Sequence, residues 1–182
     1  MTTLPFYIFL FIHLVSLITG FGAVIVIDSI GALWVFKKVP LSFVNRVAGI
    51  TQRLIWLGWT GLVVSGTGLI IIKGYVDNLT KIKLAFVAMI GLNGILLHTI
   101  KRAMEKLADS DDMPRNTRFR ITFASAVSQL GWWGALTIGF VHRHWRHDIP
   151  WPAHPWYIIS VLAALLIVIF FIGNAVTRTR NL

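Results

Sequence analysis

The chain has 182 residues, 56% of them hydrophobic and 13% charged, with a formal net charge of +10 and no cysteine. A soluble domain of this size cannot hide so much apolar surface, so lipid has to be part of its solvent. The missing cysteines exclude disulfides, thiolate metal sites and iron–sulfur clusters.

Apolar runs lie near 5–27, 54–72, 84–100, 121–141 and 157–175. Each is close to the roughly 20 residues that a helix needs to cross about 30 Å of hydrocarbon. They predict an all-α polytopic membrane protein, one domain over 1–182, built as a bundle of five transmembrane helices. The first run has no basic segment ahead of it and no small-residue cleavage pattern, and it continues past Asp28 through Trp34 and Phe36. It therefore reads as a retained span rather than a signal peptide. His13 falls about 12 Å below the outer surface at 1.5 Å per residue, and Asp28 falls near the inner end.

The connection over 37–53, KKVPLSFVNRVAGITQR, is mildly amphipathic and broken by Pro40, which predicts a segment lying along the membrane surface before the second span. On the second span Gly58, Gly61, Ser65 and Gly68 recur at helical spacing. Such small residues let helices in lipid approach through their backbones, and a groove for a flat cofactor is the alternative reading of the same seam. The GTG at 66–68 follows no strand, so it is not a nucleotide loop.

Lys83 opens the third span, where Gly91, Gly94 and His98 share a face, an arrangement that turns His98 toward protein. His98 lies at the depth expected for Asp28, so the two are candidates for a hydrogen-bonded or ionic pair. The sequence KRAMEKLADSDDMPRNTRFR then predicts a helix continuing through Glu105 and Lys106, followed by a turn at Asp109, Ser110, Asp111, Asp112, Met113 and Pro114. The fourth span carries a second small-residue seam: Ala124, Ser128, Gly131, Ala135 and Gly139. After it, HRHWRHDIPWPAHPWY holds three prolines, which oppose regular helix, and four aromatic residues suited to the interfacial belt.

Charge distribution sets the orientation. Taking the connections alternately, Lys37, Lys38, Arg46, Arg53, Lys101, Arg102, Lys106, Arg115, Arg118, Arg120, Arg178 and Arg180 fall on one side. Only Lys73, Lys81, Lys83, Arg143 and Arg146 fall on the other, which places the N-terminus outside and the C-terminus in the cytoplasm. The basic excess is then a partner for anionic lipid, not for nucleic acid. The expected location is the cytoplasmic (inner) membrane, with the lipid bilayer as partner and a larger membrane complex or a homo-oligomer as a further one.

Ionisable groups in hydrocarbon cost several kcal/mol unless partnered, and by default they mark a path for cofactor, proton or substrate. Imidazoles inside a bundle serve mostly as axial haem ligands or as transition-metal ligands. Two bis-histidine haems need four intramembrane histidines, and the spans offer His13 and His98. A single haem b held by His13 is the simpler arrangement; a pairing of His13 with His142 meets a depth mismatch of roughly 10 Å unless the fourth helix sits lower. A second constellation, His142, His144, His147 and Asp148 with His154 beyond, has ligands suited to copper or zinc, although histidine and arginine alternating at an interface more often contact lipid head groups. With so few acids, no hydrolytic triad or carboxylate pair can be assembled.

Several motifs in order carry a resemblance: HLVSLITGFGAVIVID in the first span, GLVVSGTGL in the second, KIKLAFVAMIGLNGILLH in the third and SQLGWW in the fourth. Together they resemble small bacterial integral membrane proteins grouped near the membrane-bound, haem-associated protoporphyrinogen oxidases and the copper-resistance D-type proteins. That resemblance implies functional roles for His13 and Lys83. The chain departs from the oxidase pattern at Asp28 and Ser29, where those enzymes have a Leu-Pro-Arg type segment, so their substrate is not carried over. Three functions are in play: a haem b protein for electron transfer or membrane redox chemistry, using His13 with His98, Asp28 and Lys83; a copper- or zinc-binding or transport protein using the outer histidines; and a non-catalytic accessory membrane subunit.

Overall fold

The structure is a computed structural model, and it describes residues 4–105, 114–145 and 153–179. Among these the chain forms five helices: α1 (Leu4–Val35), α2 (Leu41–Lys73), α3 (Asn78–Glu105), α4 (Arg115–His144) and α5 (Pro155–Thr179). The all-α expectation is met. Of these helices α1, α2, α3 and α5 are long and apolar enough to cross a membrane. In α4 the stretch Ser128, Gln129, Trp132 and Trp133 dilutes the aliphatic content. The predicted turn over 109–113 lies outside the described residues.

The helices group into two compact units, 1–76 and 77–182. The first is an α1–α2 hairpin. Its turn closes with Lys38 N–H on the Leu33 carbonyl at 2.9 Å and Lys37 N–H on the Trp34 carbonyl at 2.8 Å. That is a Schellman ending, with Lys37 at φ 57° in the left-handed position that glycine usually takes. Pro40, extended at φ −74° and ψ 155°, then opens α2.

The surface segment expected over 37–53 is not a separate piece, because residues 41–53 are the first turns of α2. Pro40 sits before the helix, where its missing N–H costs nothing, instead of breaking it. Nothing from Leu41 to Arg53 interrupts the helix, and Val44 and Thr51 on this stretch are buried.

The α2 seam is what joins the hairpin. A Cβ on Gly58 would lie 2.5 Å from the Gly20 Cα and 2.7 Å from the Ser16 carbonyl. One on Gly61 would strike the Ser16 side chain, and one on Gly68 the Phe9 ring. α1 fills the seam, so helix packing and not a cofactor groove explains these residues.

In the second unit α3 starts at an Asp77 cap, whose carboxylate accepts from Thr80 N–H at 2.8 Å and from Thr80 Oγ1 at 2.6 Å. The α4 seam packs on α3 in the same way: a Cβ on Gly131 would meet the Ile90 side chain at 2.6 Å, and one on Gly134 the Phe86 ring at 2.6 Å. Between them Asn93, 4% exposed, donates through Nδ2 to the Ala124 carbonyl at 2.7 Å. Asn78 Nδ2 donates to the Ala153 carbonyl at 3.2 Å, which ties the start of α3 to the segment ahead of α5.

Candidate functional site

His13 sits in the middle of the α1–α2 packing. Its Nδ1 is 2.9 Å from Ser65 Oγ, a side chain with no exposed surface. Ser65 is back-bonded to its own helix, Oγ to the Gly61 carbonyl at 2.5 Å. A hydroxyl has one proton, and here it is directed at Gly61, so toward the imidazole the oxygen can only accept. His13 is therefore the donor through Nδ1, and in the neutral ring the basic lone pair belongs to Nε2. This is the arrangement in which a metal-ligating histidine is usually held: the remote ring nitrogen is anchored by an acceptor, which fixes both tautomer and ring orientation.

The surroundings of the ring reinforce its placement. Gly66 lies against it, such that a Cβ there would sit 3.6 Å from the imidazole Cε1. α1 thus supplies the imidazole, and α2 supplies the acceptor and a flat backbone wall. The residue sequence reasoning missed was Ser65, which it assigned only to the packing seam. A signal existed, because His13 and Ser65 are similarly far along the chain from the turn at Lys37 and Lys38 and so sit at one depth in an antiparallel hairpin.

Within each unit the other candidates stand apart along their helices. Asp28 is half-buried on α1, about 22 Å along the axis from His13. His98 is exposed on α3, which corrects the expectation that its face turns into protein. Asp28 belongs to the first unit and His98 to the second. Lys83, also in the second unit, is half-buried, with its Nζ 3.4 Å from where a Gly139 Cβ would lie, so the ammonium stem covers the α4 backbone at that glycine. It is again about 22 Å along the helix from His98, so these two do not share a site.

Of the outer histidines, His144 is stacked on Phe140, with ring centroids 4.4 Å apart and Nδ1 3.0 Å from the Phe140 carbonyl. His154 is exposed and lends its carbonyl to Tyr157 N–H at 3.2 Å in the first turn of α5. The His142 side chain, His147 and Asp148 lie outside the described residues. Among the described residues no group of three or more His, Asp or Glu is arranged to hold a metal ion.

No family model matches the chain, and comparison with curated proteins and with solved structures likewise gives no match.

Proposed function

We propose that this protein holds a b-type haem through His13 and serves electron transfer or membrane redox chemistry. The observation that carries the reading is the bond between His13 Nδ1 and Ser65, which makes Nε2 the basic ring nitrogen, the one that could ligate iron. When bound, the iron would supply a one-electron Fe(III)/Fe(II) couple, while the protein supplies ligation, orientation and a low-dielectric setting. An intramembrane imidazole with a built anchor is more than the bundle needs for cohesion, because the seam around it already packs through Gly58, Gly61 and Gly68. The resemblance in the first-span motif points to the same cofactor class.

In this reading the chain crosses the cytoplasmic membrane five times, N-terminus outside and C-terminus in the cytoplasm. α4 is the fifth crossing. Its 30 residues span about 45 Å, and its less apolar face is covered, with Ala124, Val127, Ser128, Trp132 and Ala135 all buried. The charge asymmetry of the connections sets the orientation.

The test is spectroscopic. Protein purified from haem-replete cells shows a Soret band that shifts on reduction with dithionite, and His13→Ala loses most of it while keeping helical content. A folded wild-type preparation that takes up no haem on titration overturns the proposal.

A further inference from the structure

Where α4 begins and α5 ends, the two helices come so close that a Cβ on Gly173 would run into the Phe119 ring. Phe119, Phe123 and Phe170 form an aromatic cluster there, with centroids 5.3 Å apart for Phe123 and Phe170 and 6.4 Å apart for Phe119 and Phe170. Arg120 reaches into the same interface, its guanidinium carbon 6.0 Å from the Phe170 ring centroid. Asn116 is one turn before Arg120 on α4, and Asn174 is one turn after Phe170 on α5. Three polar atoms in this small region, Arg120 Nε, Asn116 Oδ1 and Asn174 Oδ1, are buried with no hydrogen-bond partner among the described residues.

An unanswered polar atom is costly in a protein interior, and more so when it belongs to a charged group. The guanidinium Nε and two amide oxygens left unanswered at one helix–helix contact are what a ligand would complete. The guanidinium of Arg120 carries donors only and requires an acceptor, best an anion with two oxygens. The two amide oxygens require donors. A phosphodiester with hydroxyls on its far side meets all three demands. The wall beside the site is suited to lipid tails: Phe171 and Ile172 on α5 are 65% and 60% exposed, and no residue in the apolar stretch of that helix is fully buried. Arg115 and Arg118, both exposed on the first turn of α4, add positive potential nearby.

We infer that the α4–α5 end is a binding site for an anionic phospholipid with a hydroxyl-bearing head group, its phosphodiester on Arg120 and its hydroxyls on Asn116 and Asn174. The inference does not depend on the haem proposal.

The full chain, delipidated in neutral detergent, is titrated by native mass spectrometry with phosphatidylglycerol, phosphatidylcholine and phosphatidic acid, and in competition with inorganic phosphate. Phosphatidylglycerol should bind about tenfold or more tightly than phosphatidylcholine, an advantage that Arg120→Gln removes and Arg118→Gln keeps. Asn174→Ala should bring phosphatidylglycerol down to the level of phosphatidic acid, a comparison that stands even if Arg120→Gln fails to fold. Equal binding of phosphatidylglycerol and phosphatidylcholine, or an equal loss in Arg118→Gln, would overturn the site. Displacement of phosphatidylglycerol by millimolar inorganic phosphate would overturn the lipid assignment and identify a soluble anion instead.

Discussion

Ser65 Oγ stands 2.9 Å from His13 Nδ1 while its own proton goes to the Gly61 carbonyl. The consequence is chemical as well as geometric. A serine free to rotate would leave either imidazole nitrogen protonated, whereas a back-bonded serine in a fully buried position selects one tautomer. The hairpin therefore sets the protonation pattern of the ring before any ligand arrives.

Replacing that serine gives a direct prediction. Ser65→Ala removes the acceptor with little change in volume, so the hairpin should remain intact while the ring loses its orientation. Haem titration of the variant is expected to show affinity about 10- to 100-fold weaker than wild type, the usual effect of deleting a partner that orients a ligand. Unchanged affinity would mean that the bond is merely cohesive.

The α1–α2 contact predicts a contrast among glycines. Gly58→Ala places its new methyl against Gly20 and Ser16 main-chain atoms that cannot swing aside, and it should destabilise the hairpin by about 1–3 kcal/mol. Gly22→Ala and Gly31→Ala meet nothing within 4 Å. These two should be neutral, or stabilising by up to about 1 kcal/mol through helix propensity. Unfolding in mixed micelles with increasing dodecyl sulfate separates the cases.

Asn93 offers a third test. Its Nδ2 bonds the Ala124 carbonyl, but its Oδ1 is buried with no partner among the described residues. Interhelical hydrogen bonds in membranes average about 0.6 kcal/mol, and Leu fills a similar volume without an orphaned oxygen. Asn93→Leu is accordingly expected to change stability by less than about 1 kcal/mol in the same assay. A much larger loss would show that the amide has a further role.

Whether α4 crosses the membrane can be measured cleanly because the chain has no cysteine of its own. Arg115→Cys and Ala153→Cys flank α4, and an impermeant maleimide applied to intact cells should label position 153 and not position 115. Lys38→Cys should be shielded and Tyr75→Cys labelled. Equal labelling at 115 and 153 would remove the fifth span.

The helices themselves were legible in the sequence because the energy that forms them is the energy hydropathy measures: leaving backbone groups unpaired in oil. Where the chain leaves oil, that signal stops. Residues 41–53 look like a surface segment on their own, and only the continuation of α2 from Pro40 makes them helix. Intramembrane polar residues such as His13 were visible as exceptions, but their partners were not. Ser65 looked like another small residue on a seam, and Asn116, Arg120 and Asn174 are ordinary residues for a basic membrane edge until two helices bring them to one place. Pairing across helices is set by register, which one-dimensional composition does not encode.

The α1–α2 hairpin has one more consequence. Its helices run to 32 and 33 residues, about 48 and 50 Å, against roughly 30 Å of hydrocarbon. Because glycine-tight contacts bind them from Phe9 and Gly68 to Gly20 and Gly58, neither can lean without the other. In a bilayer any tilt of the hairpin is shared by both helices, so a change in thickness would become a swing of the lysine-bearing tip at Lys37 and Lys38, with His13 carried along.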